Sequence, residues 1–410
     1  MRVFLRVMLV GALIGLLYLN CKLYYQPRIT EVVGRPLNQE LVQQLYFLKE
    51  RLHQGAAADM QEVYPEGFVY ANVLYGLTWI ELASGVAPTT PLHQEALSES
   101  AWAIKAINSP QGRMPFDEDL PLPYGAYYQG WFTYLLGRHL AAQTPKQRAP
   151  LDVLLFEQHC AQIAKALAKS PTPYLESYAG AAWPADGVMC VAALAWHDRM
   201  FAPRYQRATH DWLANVRTHL DTLGMIPHQT DALTGKTIEA ARGSSQSQLL
   251  NFLFEIDSTY ARHHFKIYRS HFLTSRFGLP GLRESAQDHV AAEDIDSGPV
   301  LRRGMPKASI VGRRTMQLYG DTVTALGLRN SVEAFGIPLR SGGQKQYIFG
   351  VLPIADAFIA WSNSLEVNRA LSLSSSNNWR FRFQVLSAVL AIGALIILLL
   401  LSRKPSSSDM

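Results

Sequence analysis

One unit keeps returning along this chain and limits what it can fold into. A short loop bearing Gly, Pro and an acidic residue opens into a helix of small, apolar and aromatic residues. It reads Tyr64-Pro65-Glu66-Gly67 before one such helix, then Gly112-Arg113-Met114-Pro115-Phe116-Asp117 ahead of Tyr124-Gly125-Ala126-Tyr127-Tyr128. It returns over Tyr178–Asp186, and again as Gly224-Met225-Ile226-Pro227-His228 with Asp231 ahead of Arg242-Gly243-Ser244-Ser245-Gln246. The last copy is Asp294-Ile295-Asp296-Ser297-Gly298-Pro299. A repeated loop-plus-helix unit predicts an array of helix pairs with the loops gathered on one face.

Apolar residues recur at three- and four-residue spacing nearly throughout, as in Leu41, Leu45, Leu48 and Leu52, while sustained period-2 alternation is scarce. The pattern lays out six pairs: 38–54 with 64–84, 92–107 with 124–142, 151–169 with 184–200, 203–222 with 242–257, 258–275 with 297–319, and 321–336 with 346–363. In each pair the first helix holds the charges and the second is richer in Ala, Gly, Ser and aromatics, as a helix ringed by neighbours requires. The expected fold is all-α, an (α/α)6 toroid of six helix hairpins over residues 38–365. An irregular bundle or an open solenoid is the competing arrangement; six pairs close a ring, and no capping repeat is evident.

The ends have a different character. Phe383–Leu401 is an uncharged run of about 19 residues, long enough to cross a ~30 Å hydrocarbon core, and it has no polar stripe. At the other end a basic start, Arg2 and Arg6, precedes an apolar run of about 13 residues, Val7–Leu19, the size of a signal-peptide core. Small residues for cleavage are missing around Leu19-Asn20-Cys21, so residues 1–21 read as an anchor or uncleaved signal. Residues 22–37 and 366–382 read as linkers, 383–402 as a transmembrane helix and 403–410 as a tail. Two spans place both termini on one side. Arg2, Arg6, Arg403 and Lys404 favour a cytoplasmic side for the tails, against the opposing signal of Arg380 and Arg382. The expected location is then a bacterial-type inner (plasma) membrane with the main domain periplasmic or extracytoplasmic.

The net charge of +5 comes from dispersed Lys and Arg with no basic run, which excludes nucleic acid as a partner. Cys21, Cys160 and Cys190 are too few for a disulfide framework, and the apolar helical settings of Cys160 and Cys190 predict buried thiols. No HExxH, CxxC or three-His spacing occurs, so neither a metal nor a cofactor is expected. The sequence leaves oligomeric state open.

The ring of six pairs, with aromatic and acidic loops ahead of the inner helices, resembles the (α/α)6 superfamily of glycoside hydrolases, polysaccharide lyases and uronyl epimerases. It is similar in the same way to the linalool dehydratase/isomerase-like proteins. The resemblance is one of architecture over about residues 38–365, and it implies a site at the N-terminal ends of the inner helices. Fold alone does not decide the reaction.

The loops supply candidates of their own. Asp186 sits in the first turn of an apolar helix beside Trp183, where it can act as general acid or base, or simply cap the helix. Asp296 offers a second carboxylate, as glycosidic cleavage would need. Arg242 and Gln246, four apart, with His228 and Asp231, suit an anionic or hydroxyl-rich ligand; the bland alternative pairs Arg242 with a neighbouring acid. Tyr64, Glu66, Asp117, Tyr127, Tyr178 and Trp183 complete the expected binding set, its aromatics able to stack on a sugar or terpenoid. Three functions remain in view: an acid/base enzyme on a glycan or similar polyhydroxylated substrate, a dehydratase/isomerase on a small alcohol for which Cys190 and Tyr178 would matter more, and a non-catalytic ligand-binding protein of the cell envelope.

Overall fold

The structure, a computed structural model, describes residues 1–286, 306–365 and 379–402. The chain begins with helix α1 (Arg2–Lys22) and a hairpin of β1 (Ile29–Val32) and β2 (Arg35–Asn38). Six outer/inner helix pairs follow. They are α2 (Gln39–His53) with α4 (Gly67–Gly85), after the short α3 (Ala56–Val63), and α5 (Pro91–Ile107) with α7 (Gly125–Ala141), after the single turn α6 (Pro110–Arg113). Next come α8 (Pro150–Lys169) with α9 (Pro184–Met200), and α10 (Gln206–Val216) with α11 (Gly243–Ile256). The last two are α12 (Ser258–Phe272) with α13 (Pro306–Leu318) and α14 (Thr322–Phe335) with α15 (Pro353–Ser364), and α16 (Trp379–Ser402) ends the described chain.

Why these helices start where they do is largely local. Asn38 and Thr90 accept backbone N–H groups at the starts of α2 and α5, and Asp257 and Asp321 do the same for α12 and α14. Proline occupies the first turn of α5, α8, α9 and α15, where its missing N–H costs nothing.

The inner helices close a ring. α4 packs on α7, α7 on α9, α9 on α11, α11 on α13, α13 on α15, and α15 returns to α4. Each outer helix lies against the inner helix that precedes it around the ring, α5 on α4, α8 on α7, α10 on α9, α12 on α11, α14 on α13 and α2 on α15, so the arrangement is the (α/α)6 toroid that the helical periodicity predicts. Burial follows the same division: in α4 every residue except Ser84 is buried, whereas α10 buries only Trp212, Leu213 and Val216. Close approach within the ring needs small residues; a Cβ on Gly130 of α7 would lie 2.9 Å from the Asp186 carbonyl of α9.

The axis of the ring is filled. The Tyr70 hydroxyl of α4 donates to Gln248 Oε1 of α11, directly across the ring, at 3.3 Å. Below this strut Trp131, Phe252 and Trp361 stack ring to ring, with Trp131–Phe252 edge-on at 5.4 Å. At the C-terminal ends of the inner helices Glu81 lies between Arg138 (3.3 Å) and Arg314 (3.0 Å), and Arg138 reaches on to Glu255 at 3.3 Å. Burial pushes the Glu81 carboxyl up, yet the two guanidiniums outweigh it and hold it below its usual value.

Short strands punctuate the loops where the sequence shows no sustained alternation. β3 (Ala181–Ala182), β4 (Gln229–Asp231) and β5 (Thr237–Glu239) form one small sheet. β6 (Leu273–Arg276) pairs with β7 (Leu279–Leu282), and β8 (Leu339–Ser341) with β9 (Gln344–Gln346). The expected linker 22–37 contains most of the β1–β2 hairpin rather than a plain tether, and the last helix begins at Trp379, four residues before the expected span. α1 and α16 are each long and apolar enough to cross a membrane. They pack on one another antiparallel: Arg6 donates to the Leu401 carbonyl, and at the other end Arg380 Nε donates to the Leu23 carbonyl at 2.9 Å. Cys160 and Cys190 are buried free thiols, as their surroundings predict.

Candidate functional site

The N-terminal ends of α4, α7, α9 and α11 carry most of the residues singled out by sequence. The turn Tyr64-Pro65-Glu66 delivers Glu66 to the mouth of the ring, where its carboxylate accepts the Tyr178 hydroxyl. The Tyr127 hydroxyl, from the first turn of α7, donates to the Glu66 carbonyl at 3.5 Å. Burial, with Tyr70 and Glu66 adding to it, pushes the Tyr127 phenol well above its ordinary value, so it stays a neutral donor. Around this pair stands an aromatic wall. Tyr178 meets Trp183 edge-on at 5.6 Å, and Phe116 stacks on Tyr127 at 5.4 Å and lies 6.2 Å from Tyr178.

Asp186 occupies the first turn of α9, seven per cent exposed, and its Oδ2 accepts the Ser177 hydroxyl at 2.7 Å. One turn further on, the Cys190 thiol faces the Ala126 carbonyl at 3.5 Å. Burial raises that thiol far above its ordinary range, with the Asp186 charge adding to the effect. A thiol so held is inert as a nucleophile.

The small sheet fastens the neighbouring loops to this corner. Ala181 of β3 pairs with Asp231 of β4, and Ala182 with Thr230, so the loop before α9 and the loop before α11 lie edge to edge. His228 is half-buried there, its N–H donating to the Glu239 carbonyl at 3.0 Å. Arg242, three per cent exposed, forms an ion pair with Glu239. Gln246 is fully buried and its amide donates to the Ile226 carbonyl at 2.7 Å. A Cβ on Gly243 would run into the Arg283 carbonyl, which lets Glu284 reach the start of α11. There the Gly243 N–H donates to the Glu284 carbonyl at 2.9 Å, the Ser244 N–H to its carboxylate at 3.2 Å, and the Ser244 hydroxyl to the same carboxylate. The amides at this helix start are met by the chain's own acid.

Two acids serve their own turns. Asp231 accepts the N–H groups of Leu233 and Thr234 and the Thr234 hydroxyl, which lowers its carboxyl below the ordinary value. Exposed Asp117 accepts the Asp119 N–H at 2.9 Å. Tyr64 is half-buried beside the core. Asp296 lies outside the described residues. The assembled corner is therefore Glu66, Tyr127, Tyr178, Trp183 and Asp186, with Arg242, Gln246 and His228 alongside.

Sequence reasoning passed over Ser177, Phe116, Tyr70, Gln248 and Glu284. Ser177 stands next to Tyr178 and could have been found as the hydroxyl facing a first-turn Asp. Glu284 is 40 positions from the Ser244 it holds, and no local pattern announces it. Asp356, also missed, sits buried in the first turn of α15: its Oδ1 accepts the Tyr347 N–H at 2.8 Å, and burial pushes it up to about 8. Among the described residues no cluster of three His, Cys, Asp or Glu could hold a metal ion.

Among solved structures the chain is similar to an unsaturated glucuronyl hydrolase from Bacillus sp. GL1, described as responsible for the degradation of glycosaminoglycan. The identity is 11%, the TM-score 0.38, and the match covers 89% of this chain and 97% of that one. A second structure of similar likeness is described as UGL with dGlcA-Glc-Rha-Glc, at 11% identity and a TM-score of 0.39, covering 88% of this chain and 97% of that one. No family model matches the chain, and no curated protein does. The ring itself follows from the packing of the chain's own helices.

Proposed function

We propose that the toroid, residues 38–365, is an enzyme that acts by acid/base chemistry on a glycan or a similar polyhydroxylated substrate, as a hydrolase, lyase or epimerase. The observation that supports it best is Asp186, a buried carboxylate at the loop face, hydrogen-bonded by Ser177 and flanked by the Tyr178–Trp183 wall. In this reading Asp186 moves the proton, Asp296 is its partner carboxylate, and Tyr178 with Glu66 fixes one edge of the sugar. Tyr127 and Trp183 provide apolar faces for stacking. His228, Asp231, Arg242 and Gln246 order the adjacent loop, and Tyr64 and Asp117 flank the mouth.

The two apolar terminal helices anchor the ring at a bacterial-type inner membrane, with the ring on the extracytoplasmic side. The dehydratase/isomerase reading would call on Cys190, and the thiol's burial against α7 weighs against it. The test separates chemistry from architecture. Asp186→Ala and Asp296→Ala should each cost about 10²–10⁴-fold in kcat/KM on a uronic-acid-containing oligosaccharide series, with melting transitions close to that of the parent. Loss of the fold in both variants would make the carboxylates structural and end this reading. Binding without turnover across the whole series would leave a ligand-binding protein instead.

A further inference from the structure

At the foot of α16 a cavity of about 430 Å³ opens between the β6–β7 hairpin and the first turn of the helix. Leu273, Pro280 and Trp379 give it apolar walls, and Thr274, Ser275 and Arg382 supply hydroxyls and a cation. The wall is built tightly: a Cβ on Gly278 would lie 2.6 Å from Arg382 Cβ and 2.9 Å from the Trp379 carbonyl, so the hairpin rests directly on the helix. Two arginines on this first turn behave differently. Arg380 is engaged, donating to the Leu23 carbonyl and lying 4.9 Å over the Tyr24 ring. Arg382 is exposed and makes no hydrogen bond or ion pair among the described residues.

Arg382 also stands at the head of a stripe. At alternating steps of three and four residues come Val385, Val389, Ile392, Ile396 and Leu399, every one an exposed aliphatic side chain on one face of α16. From Val385 to Ile396 the stripe runs about 16 Å at 1.5 Å per residue, which matches one leaflet of a ~30 Å hydrocarbon core. Beside the cavity, exposed Phe277 at the hairpin tip and exposed Phe381 add the aromatics found where a membrane protein crosses the headgroup layer.

We infer that this cavity is the seat of an anionic glycerophospholipid, with the phosphate on Arg382, glycerol and headgroup oxygens on Thr274 and Ser275, and an acyl chain along the Val385–Ile396 face. The inference rests on the membrane anchoring proposed above. A guanidinium at this depth favours a fixed anion, and the hydroxyls complete the recognition that a bare apolar groove would lack.

The full chain, purified in mild detergent and moved into nanodiscs of phosphatidylcholine with or without phosphatidylglycerol, tests it. Native mass spectrometry should find phosphatidylglycerol retained on the protein, and Arg382→Glu should cut that retention at least tenfold. Arg382→Lys should keep most of it, and Thr274→Val with Ser275→Ala should weaken it several-fold. Equal retention of the two lipids, or unchanged retention in Arg382→Glu, would overturn the assignment. So would glycerol 3-phosphate displacing the lipid at equal concentration, since the ligand would then be a soluble phosphate. Release of the chain from native membranes by alkaline carbonate reads the anchoring separately; retention there with no lipid preference sinks the lipid seat alone.

Discussion

The two ends of the same inner ring treat their carboxylates in opposite ways. At the C-terminal ends Glu81 is clamped by Arg138 and Arg314, and Glu255 by Arg138. At the N-terminal ends Asp186 and Glu66 are met by the hydroxyls of Ser177 and Tyr178. A carboxylate between two guanidiniums is fixed in its charged form and can hold helices together but not carry a proton. The ring thus has a guanidinium pole and a hydroxyl pole, separated by the Tyr70–Gln248 strut and the aromatic stack beneath it.

That contrast can be broken at either pole. The largest effect on stability is expected from Glu81→Ala, which strands two buried guanidiniums and should cost about 3–5 kcal/mol in a denaturant titration. Turnover per folded molecule should barely change. Acid should act on the same pole reversibly. The folded-state value of Glu81 is depressed, so its contribution is present above about pH 4.3 and drains away as pH falls through the folded value. A melting temperature that does not decline faster in the parent than in Glu81→Ala on acidification would refute the clamp. Tyr178→Phe probes the hydroxyl pole more gently. It should lower kcat/KM about tenfold while costing about 1 kcal/mol of stability, and an equal loss in both poles' readouts would blur the distinction.

The last expected effect appears only on titration, at Asp356 in the first turn of α15. Its folded value is raised to about 8 against about 3.9 in an unfolded chain. The folded state therefore holds a proton that the unfolded chain gives up, and stability falls as pH rises between those values. Asp356→Asn keeps an acceptor for the Tyr347 N–H and removes the charge. It should raise the melting temperature at about pH 8 by a few degrees and change it little near about pH 4. A variant less stable at the higher pH would contradict the assignment.

The ring was legible because inner and outer helices differ in composition along their whole length, a signal summed over many residues. The placement of Asp186, Trp183, Tyr178 and Glu66 on the loop face was legible because each sits at a loop-to-helix junction marked by Pro or Gly. Asp117 and Asp231 carry the same local marks, yet their oxygens face backbone N–H groups two or three residues on, which sequence cannot tell from a ligand-facing carboxylate. The short hairpins escaped because two to four residues cannot establish a period of two. The strut across the ring was out of reach for a different reason. Tyr70 and Gln248 are 178 positions apart, and only closure of the ring makes them neighbours.

Arg6 meets Leu401, and Leu23 meets Arg380, so α1 finds its mate only once chain 357 positions further on has been made. Until then α1 has an unmatched flank, and the ring between them is what brings the two together. Joining ends so distant in sequence carries a loop-closure entropy that grows only slowly with the length between them. A nick in any loop of the toroid should therefore loosen the helical pair at its base, and hydrogen exchange at the Leu23 end would register damage done far away.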